Sequence, residues 1–402
     1  MTEIDRLIEE YCPDGVEYKE LGEVSIDIYR GNGITKNDIV EDGVECVRYA
    51  EIYTKYGIYF DKCKSKVNIE KIKNPKYFEK GDILIAITGE SVEDICKATA
   101  YIGDGKCIAG GDMVVLKHKQ NPKYLSYVLS SEFVCKQKIK GKSKNKVVHS
   151  SVPDINKIKI PIPPLPVQNA IVEHLDAFSA LQAELQAELQ AELSLRKKQY
   201  TYYQNKLLTF DKNNPLFKFG VEYKELLEIA IISRGQTITK KDVTKGEVPV
   251  IAGGISPAYY HNKSNCDGKT ITIAGSGVNA GYIAFWNKPI FVSDALYIKK
   301  KENINLKYIY YFLKNKQDKI YNLKQGAGIA HIYPKTIEKI KIAIPELEIQ
   351  NRLVNVLDNF EKICGDLNIG LPREIELRQK QYEYYRDKLL TFVENPVNFN
   401  IT

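Results

Sequence analysis

The sequence lacks several short motifs that mark common catalytic centres. Its 402 residues contain no Walker A sequence, no HExxH and no GxSxG. The glycine-rich run at 275–281 departs from the GxGxxG spacing of a dinucleotide site, so we interpret it as a turn. The two NPKY sequences, at 74–77 and 121–124, are interpreted as turns because no cofactor-binding motif accompanies them. We therefore expect a binding protein with no catalytic residue.

Closely spaced cysteines and long apolar runs are also missing. The eight cysteines form no CxxC pair and no Cys–His spacing typical of a metal site. We therefore expect reduced thiols, no metal ligand and a cytoplasmic location. No run approaches the ~18–20 apolar residues of a membrane span, and the acidic first residues do not resemble a signal peptide. A membrane partner is not expected.

The net charge of +7 arises from 58 Lys and Arg against 51 Asp and Glu, a moderate basic excess. Lysine occupies every second position from 136 to 146. In an extended conformation all six side chains would point the same way. The run then has two interpretations, an edge that follows DNA phosphates or a solvated edge or loop. The sequence leaves both open.

What the chain does contain is an internal duplication. Residues 157–178 and 339–360 are identical at 13 of 22 positions, and residues 196–210 and 378–392 at 11 of 15. VEYKEL near the start of the chain, at 16–21, recurs at 221–226. The cyclic order of these segments predicts that the two chain ends lie close together. Because the copies diverge between them, we expect two domains with a shared scaffold and different surfaces.

Strands mixed with short helices, without regular βαβ alternation, predict an α+β fold with mixed or antiparallel sheets in two globular halves. The candidate strands are 46–53, 81–88, 110–117, 269–277 and 291–299, and the candidate short helices are 122–137 and 306–317.

Each half is followed by a proline-rich stretch and a long helical pattern. We expect these two helices to pack antiparallel, as a pseudo-twofold pair. The first contains LQAE three times in tandem, at 181–192, and the second breaks near Gly370 and Pro372. Each four-residue unit adds about 6 Å of helix rise. We interpret the repeat as an adjustable spacer; the alternative is a low-complexity helix of good helix formers.

Together these segments resemble the specificity subunit of type I restriction-modification systems. The resemblance rests on CPDGVEYKELGEV (12–24), IPIPPLPVQN (160–169), RQKQYEYYRDKLLTF (378–392) and the tetrapeptide repeat, although the repeat is LQAE and not the better-known TAEL type. It implies target recognition domains at 1–160 and 213–344, a central helical spacer region at 161–212 and a distal one at 345–402.

The same resemblance implies the partners. Each recognition domain would read one half of a bipartite, asymmetric site on double-stranded DNA. The helices would dock two methyltransferase subunits, and restriction subunits would join through these. S-adenosylmethionine, ATP and magnesium would bind those partners, so no cofactor is expected on this chain.

Candidate DNA contacts are loop residues rich in hydrogen-bond donors. In the first half they are Arg30, Lys36, Asn37, Thr88, Glu90, Ser91, Lys142, Lys144, Asn145 and Lys146. In the second half they are Arg234, Gln236, Lys240, Lys241, Ser276, Asn279, Lys324 and Gln325. The candidates for the helix-pair core and partner docking are Tyr200, Tyr202, Tyr203, Tyr382, Tyr384 and Tyr385.

Matching histidines, His149 and His331, have three possible roles: catalysis, DNA contact or a structural hydrogen bond, of which the last is commonest. Two other function classes stay open. A stand-alone modification enzyme would need a cofactor loop that the sequence does not contain. A DNA-binding regulator or architectural protein would function without partner subunits.

Overall fold

The computed structural model describes residues 3–89, 95–139, 148–210, 221–301, 303–326, 330–365 and 370–395. The chain divides into two compact units, one of Met1–Ala187 with Glu376–Thr402 and one of Glu188–Ile375. Each unit therefore combines one globular half with helical segments from both copies of the duplication. Within the described segments, no helix has the length and apolarity needed to cross a bilayer.

The strands of the first unit are short. They are β1 (Tyr18–Glu20), β2 (Ser25–Arg30), β3 (Ile39–Val40), β4 (Val44–Val47), β5 (Tyr59–Phe60), β6 (Ser65–Val67), β7 (Tyr77–Phe78), β8 (Ile83–Ala86), β9 (Thr88–Gly89), β10 (Ala98–Tyr101), β11 (Cys107–Ala109), β12 (Met113–His118), β13 (Val148–His149) and β14 (Lys159–Pro161).

Helices and 3-10 turns connect them. The helices are α1 (Glu3–Tyr11), α2 (Leu21–Val24), α3 (Tyr49–Thr54), α4 (Pro122–Leu129), α5 (Glu132–Ile139), α6 (Val152–Asn156) and the first part of α7 (Leu165–Leu208), with 3-10 turns at Lys36–Asp38 and Ile69–Lys71.

Two five-stranded sheets organise the first unit, in the orders β2-β12-β8-β10-β5 and β3-β6-β4-β11-β7. Most neighbours are antiparallel, but β10 pairs with β5 and β11 with β4 in parallel. One face of the first sheet packs on α4 and on the start of α7, and aromatic side chains such as Phe78 and Tyr101 are buried in a second cluster. Burial of these apolar side chains is the main stabilising contribution to the unit.

The second unit repeats the arrangement with fewer strands. They are β15 (Glu222–Glu225), β16 (Ala230–Arg234), β17 (Val248–Ile251), β18 (Tyr259–His261), β19 (Lys269–Ala274), β20 (Ile283–Asn287), β21 (Phe291–Val292), β22 (Ala295–Lys300) and β23 (Lys341–Ile344). Its helices are α8 (Leu226–Ile229), α9 (Leu306–Asn315), α10 (Gln317–Tyr321), α11 (Pro334–Glu338), α12 (Leu347–Gly365) and the start of α13 (Gly370–Leu389).

The larger sheet of this unit has the order β16-β22-β19-β20, and a smaller one has the order β18-β17-β21. In the smaller sheet β17 and β21 are parallel, as β4 and β11 are in the first unit. The mixed sheets confirm the predicted α+β class.

A buried glutamine fixes each long helix to its own globular half. In the first unit Gln168 accepts a hydrogen bond from Asn121 N at 3.0 Å and donates to Pro163 O at 2.8 Å. In the second, Gln350 accepts from Asn305 N at 3.0 Å and donates to Pro345 O at 2.8 Å. The QN sequence at 168–169 and 350–351 thus anchors each long helix to its domain through buried hydrogen bonds, and we call this contact the QN lock.

Segments near the two ends of the chain, residues 16–18 and 392–395, meet in the first unit, as the cyclic order of segments predicted. Val16 N donates to Val393 O at 2.9 Å, and Asn395 N donates to Val16 O at 3.1 Å. The hydroxyl of Tyr18, within the first VEYKEL, donates to Phe392 O at 3.1 Å. The VEYKEL segment at 16–21 therefore binds the end of the second copy to the start of the first.

Helix α7 is continuous through the LQAE repeat, so the predicted long helix is confirmed. The leucines of the repeat do not lie in a straight stripe along the helix, as a four-residue period predicts. Leu181 is 62% exposed, whereas Leu189 is only 8% exposed. A four-residue repeat exceeds the 3.6-residue turn, so each successive leucine rotates by about 40° around the axis. In the second copy the predicted break is confirmed, because α13 begins at Gly370 with a φ of 69°.

Three local predictions are wrong. The second NPKY sequence, at 121–124, is not a turn, because Asn121 caps α4 and Pro122 begins that helix. The candidate strand at 46–53 ends at Val47, and α3 follows because the Glu51 carboxylate accepts a hydrogen bond from Arg48 N at 2.9 Å and caps the helix. The alternating lysines do not begin on an extended edge, since Lys136 and Lys138 lie in α5. Lys138 is buried and donates to Cys96 O at 2.8 Å.

Candidate nucleic-acid interface

An arginine at the end of a long strand is paired with an aspartate in each unit. Arg30 closes β2 and lies 2.7 Å from Asp112, and Arg234 closes β16 and lies 3.4 Å from Asp294. The two arginine side chains are 60% and 57% exposed. An exposed ion pair adds little stability, about 0–1 kcal/mol, so its main effect here is to hold the guanidinium in place.

The glycine after each arginine permits a close approach of two chain segments. A Cβ on Gly31 would collide with Gly110 O, and one on Gly235 with Val292 O. Gly31 N donates to Met113 O at 3.1 Å, and Gly235 N donates to Ala295 O at 2.8 Å. The recurring Arg-Gly pair is therefore a structural requirement for presenting the arginine at the strand end.

A capped turn presents the next candidates in each unit. The Thr35 hydroxyl donates to Asp38 at 2.6 Å, and the Thr239 hydroxyl donates to Asp242 at 2.5 Å. These hydrogen bonds lower the pKa of both aspartates. The turns leave four candidate side chains exposed to solvent: Lys36, Asn37, Lys240 and Lys241.

In the first unit Thr88 and His149 come to the same end of the sheet as Arg30. The Thr88 hydroxyl and His149 Nδ1 are 3.1 Å apart, and the short strands that carry them pair with each other. The peptide N–H of Ile87, just before Thr88, donates to Asp112 O at 2.9 Å. His149 thus makes a hydrogen bond beside an exposed polar cluster.

In the second unit Ser276 links the aspartate to the matching histidine. Its hydroxyl donates to the second carboxylate oxygen of Asp294, the residue that pairs with Arg234. Ser276 also forms a backbone bridge with His331, and His331 exchanges two backbone hydrogen bonds with Gln325 at 2.9 and 3.0 Å. Residues from four separate segments, at 234, 276, 294 and 325–331, therefore form one polar end of the sheet.

Two further candidates of the second unit, Lys324 and Asn279, are less available, whereas Gln236 is not. Lys324 is half-buried, donates to Val278 O at 3.0 Å and lies 4.6 Å over the Tyr321 ring. Asn279 is half-buried, and its carbonyl accepts from Tyr282 N at 2.9 Å. Gln236 keeps an exposed side chain, while its N–H donates to Val292 O at 2.9 Å. Six candidates of the first half lie outside the described residues: Glu90, Ser91, Lys142, Lys144, Asn145 and Lys146.

Sequence reasoning missed two kinds of residue at these sheet ends. The first are the aspartates, although GGDMVVLK and VSDALYIK, at 110–117 and 292–299, align them. The second are exposed lysines of the 73–76 loop. Asn32 donates to Lys73 O at 3.1 Å and accepts from Lys76 N at 2.5 Å, which brings the first NPKY segment beside Arg30. No sequence signal connects residue 32 with residue 76.

The tyrosines of the first unit's helices divide by their surroundings. Tyr382 packs on Phe178 with ring centres 5.2 Å apart, and its hydroxyl lies 2.7 Å from the hydroxyl of Ser179. Tyr385 contacts the edge of the same phenylalanine at 6.2 Å. Tyr384 is 64% exposed. The first two belong to helix packing, and the third faces solvent.

The second unit shows the same division. Tyr203 stacks on Phe360 at 5.9 Å, and Tyr200 contacts that ring at 6.2 Å. Tyr202 is 59% exposed. Tyr202 and Tyr384 occupy the same position in the two copies, so the duplication places the more exposed tyrosine at the same point of each helix.

One cluster of metal-binding atom types lies away from these sheet ends. Ligand atoms of Glu45, Cys63 and Cys107 all lie within 4.8 Å of one another. The hydrogen bond from Cys63 lowers the pKa of the Cys107 thiol. Cys63 and Cys107 are both free of disulfide bonds.

Comparison with known proteins gives a family and a fold. The family model described as the type I restriction modification DNA specificity domain matches residues 13–195 and again 219–377. A putative type I restriction enzyme specificity subunit of Haemophilus influenzae is 35% identical over 291 residues, covering 69% of this chain and 74% of that protein. The EcoR124I/EcoR124II specificity subunit of Escherichia coli is 35% identical over 265 residues, covering 59% and 63%.

Solved structures agree in fold. A chain from work on complex assembly and conformational transition of the type I R-M system has a TM-score of 0.71 at 17% identity, with 94% of this chain and 97% of that one covered. The HsdS subunit of Thermoanaerobacter tengcongensis has a TM-score of 0.53 at 17% identity, with 94% and 96% covered.

Proposed function

The chain belongs to the family of type I restriction-modification specificity subunits, and we propose that its two units read the two halves of one bipartite double-stranded DNA site. The observation that carries this proposal is the duplicated sheet end. Each unit presents a cation held by an aspartate, beside a capped turn with an exposed lysine. Around that shared frame the neighbouring residues differ between units. Because the arginine–aspartate pair and the turn recur while their neighbours differ, the two units are suited to recognise different base sequences.

The chemistry of each sheet end fits DNA. Exposed lysines such as Lys36 and Lys240 offer charge for phosphate contacts, which fix the register of a protein on the duplex. An arginine guanidinium can donate two hydrogen bonds to the major-groove edge of guanine. Threonine, serine and histidine side chains add donors and acceptors for other base edges. The aspartate reduces the rotational freedom of the arginine before binding, which reduces the ordering cost of the complex.

The helices carry the second part of the proposal, the docking of two methyltransferase subunits, through which restriction subunits join. Tyr202 and Tyr384 support it because a large exposed aromatic ring is a frequent anchor of protein interfaces. S-adenosylmethionine, ATP and magnesium then bind the partner subunits, and the assembly operates in the cytoplasm. On this proposal the chain contributes recognition and spacing, and its partners contribute the chemistry.

The first test is single-molecule methylome sequencing of a methylation-free host that expresses this chain with its neighbouring methyltransferase subunit, or either protein alone. We expect a split adenine-methylated motif only when both are present. Methylation by this chain alone would refute the recognition-subunit assignment. A stable, specific DNA complex with no methyltransferase association would favour the regulator alternative.

Docking is tested with Tyr202→Ala and Tyr384→Ala. We expect each to weaken methyltransferase binding at least tenfold in a co-purification titration, because the rings are exposed and their removal leaves the helix core intact. Tyr382→Ala is the matched comparison, since it removes a ring that packs on Phe178. It should lower stability instead. Unchanged association of both outward variants would reject these anchors.

A further inference from the structure

Three side chains from separate segments converge in the first unit, at the sheet of order β3-β6-β4-β11-β7. Glu45 lies on β4, Cys107 begins β11, and Cys63 lies two residues before β6. These three strands are neighbours in the order β6-β4-β11. We propose that Glu45, Cys63 and Cys107 bind a thiophilic divalent cation, with zinc as the ion whose chemistry they match. The site is independent of the DNA interface proposed above.

The distances suit a tetrahedral ion. The three ligand atoms lie within 4.8 Å of one another, and Cys107 Sγ is 3.5 Å from Glu45 Oε2. Zinc binds sulfur at about 2.3 Å and carboxylate oxygen at about 2.0–2.2 Å. Two such bonds at a tetrahedral angle separate sulfur and oxygen by about 3.5 Å. The ion can therefore enter without a large movement of these two side chains.

The surroundings hold the ligands in place. The Tyr101 hydroxyl lies 3.5 Å from Cys107 Sγ and accepts a hydrogen bond from Gly105 N at 3.2 Å. The Tyr101 ring packs against both Phe60 and Phe78, each with its centre 5.1 Å away. When the ion binds, each thiol loses its proton to solvent, and the tyrosine hydroxyl then donates to the Cys107 thiolate. Such an outer contact orients a metal ligand. A water molecule completes the fourth position.

The second unit provides an internal comparison. Its strands β17 and β21 pair in parallel as β4 and β11 do, with Val250 opposite Phe291 where the first unit has Cys46 opposite Ile108. The positions that precede these residues are Glu45 and Cys107 in the first unit, and Pro249 and Ile290 in the second. The side chains of proline and isoleucine offer no ligand atom. Cys266 forms a backbone β-bridge with Ile290 but stands alone there as a possible ligand among these positions. The cation site is therefore a property of the first unit.

The test uses the full-length chain. Zinc content is measured by elemental mass spectrometry after purification under a phosphine reductant. The metal-free chain is then titrated with Co²⁺, and the thiolate-to-cobalt charge-transfer band in the near ultraviolet is followed. We expect one equivalent of metal per chain. Cys63→Ser and Cys107→Ser should each lower Co²⁺ affinity at least tenfold and halve the band. Glu45→Gln should weaken binding while it preserves the band, because both thiolates remain.

Cys266→Ser is the matched control, a buried free cysteine of the other unit, and should leave the titration unchanged. A measurement on the unsubstituted chain does not depend on the folding of any variant. Bound zinc should protect Cys63 and Cys107 from alkylation, and peptide mass spectrometry shows which cysteines are alkylated. The proposal is overturned if the reduced chain develops no charge-transfer band. It is equally overturned if the band survives in both cysteine variants, or if the two thiols form only a disulfide and bind no metal after reduction.

Discussion

At the scale of single residues, the arginine–aspartate pairs decide what each sheet end presents. Asp112 adopts a φ of 57°, a left-handed conformation that aspartate tolerates better than most residues. Its carboxylate contacts Arg30, and its carbonyl accepts from Ile87 N. One residue therefore ties a cation to the strand that leads into Thr88. Arg30 can be identified from the sequence because it recurs as Arg234. Asp112, whose carboxylate holds Arg30 in place, was not identified from the sequence.

Arg30→Ala should weaken binding to the first half-site by roughly 1–3 kcal/mol and relax its sequence preference, because one guanidinium contact is lost. Arg234→Ala should do the same for the second half-site. The measurement is a competition titration with DNA altered in one half at a time, at fixed salt.

Matched controls are Lys80→Ala and Lys300→Ala. Lys80 lies just before β8 and Lys300 ends β22, so each is an exposed cation at the end of the sheet remote from the arginine. These should change affinity less than twofold. If Arg30→Ala affected both half-sites equally, the assignment of one reader to each unit would be wrong.

His118 makes the first unit sensitive to acid. Burial lowers the pKa of His118 to about 4, below the value of about 6.5 in an unfolded chain. The unfolded state therefore takes up a proton first as the pH falls. The stability contribution is fully present above pH 6.5 and is lost as the pH falls towards 4.

We expect a loss of roughly 2.5 kcal/mol between pH 7.5 and pH 4.5 from this group. Hydrogen exchange of the peptide that covers β12 reports the opening free energy at both values. His118→Gln, which cannot titrate, separates this contribution from that of the carboxylates. Identical pH dependence in the two proteins would show that His118 does not titrate as stated.

At the scale of elements, the QN lock explains why the two copies have the same residues at 168–169 and 350–351. Gln168 and Gln350 are buried, and each satisfies the N–H that precedes a helix and a proline carbonyl. Asn121 and Asn305 then cap α4 and α9 with their own side chains. These contacts fix the direction in which each long helix leaves its domain.

Gln350→Ala should destabilise the second unit by roughly 1–3 kcal/mol, because a buried N–H and a buried carbonyl lose their partner. The single tryptophan of the chain, Trp286, lies in that unit and reports its urea unfolding. Gln190→Ala, at an exposed position of α7, should change the midpoint by less than about 0.5 kcal/mol. Equal effects of the two substitutions would contradict the lock.

At the scale of the whole molecule, the repeat in α7 is the feature that a single domain would not need. The LQAE units lie within one continuous helix, and the boundary between the two compact units falls among them, after Ala187. In such a helix each unit adds about 6 Å of rise.

Deleting one LQAE unit should therefore leave both half-site sequences unchanged and shorten the non-specific gap between them. The same methylome assay checks this, and adding a unit should lengthen the gap by an equal number of base pairs. Replacing one unit by four other helix-forming residues is the length-matched control and should preserve the gap. A gap that is insensitive to both deletion and insertion would exclude the ruler role.

The duplication, the mixed α+β class, the long helix and the family can all be predicted from the amino-acid sequence. These follow from identities at a fixed offset and from periodic patterns, which are local properties of the chain. The sequence also identifies Arg30 and Arg234, because recurrence in two diverged halves marks a shared role.

Which residues meet depends on the packing of the folded chain. Asp112, Lys76 and His149 join Arg30 through strand pairing and hydrogen bonds that no spacing records. Glu45, Cys63 and Cys107 converge for the same reason, since sheet neighbours are set by topology and not by distance along the chain. Contacts between distant segments depend on how all the strands pack at once, and local patterns do not contain that information.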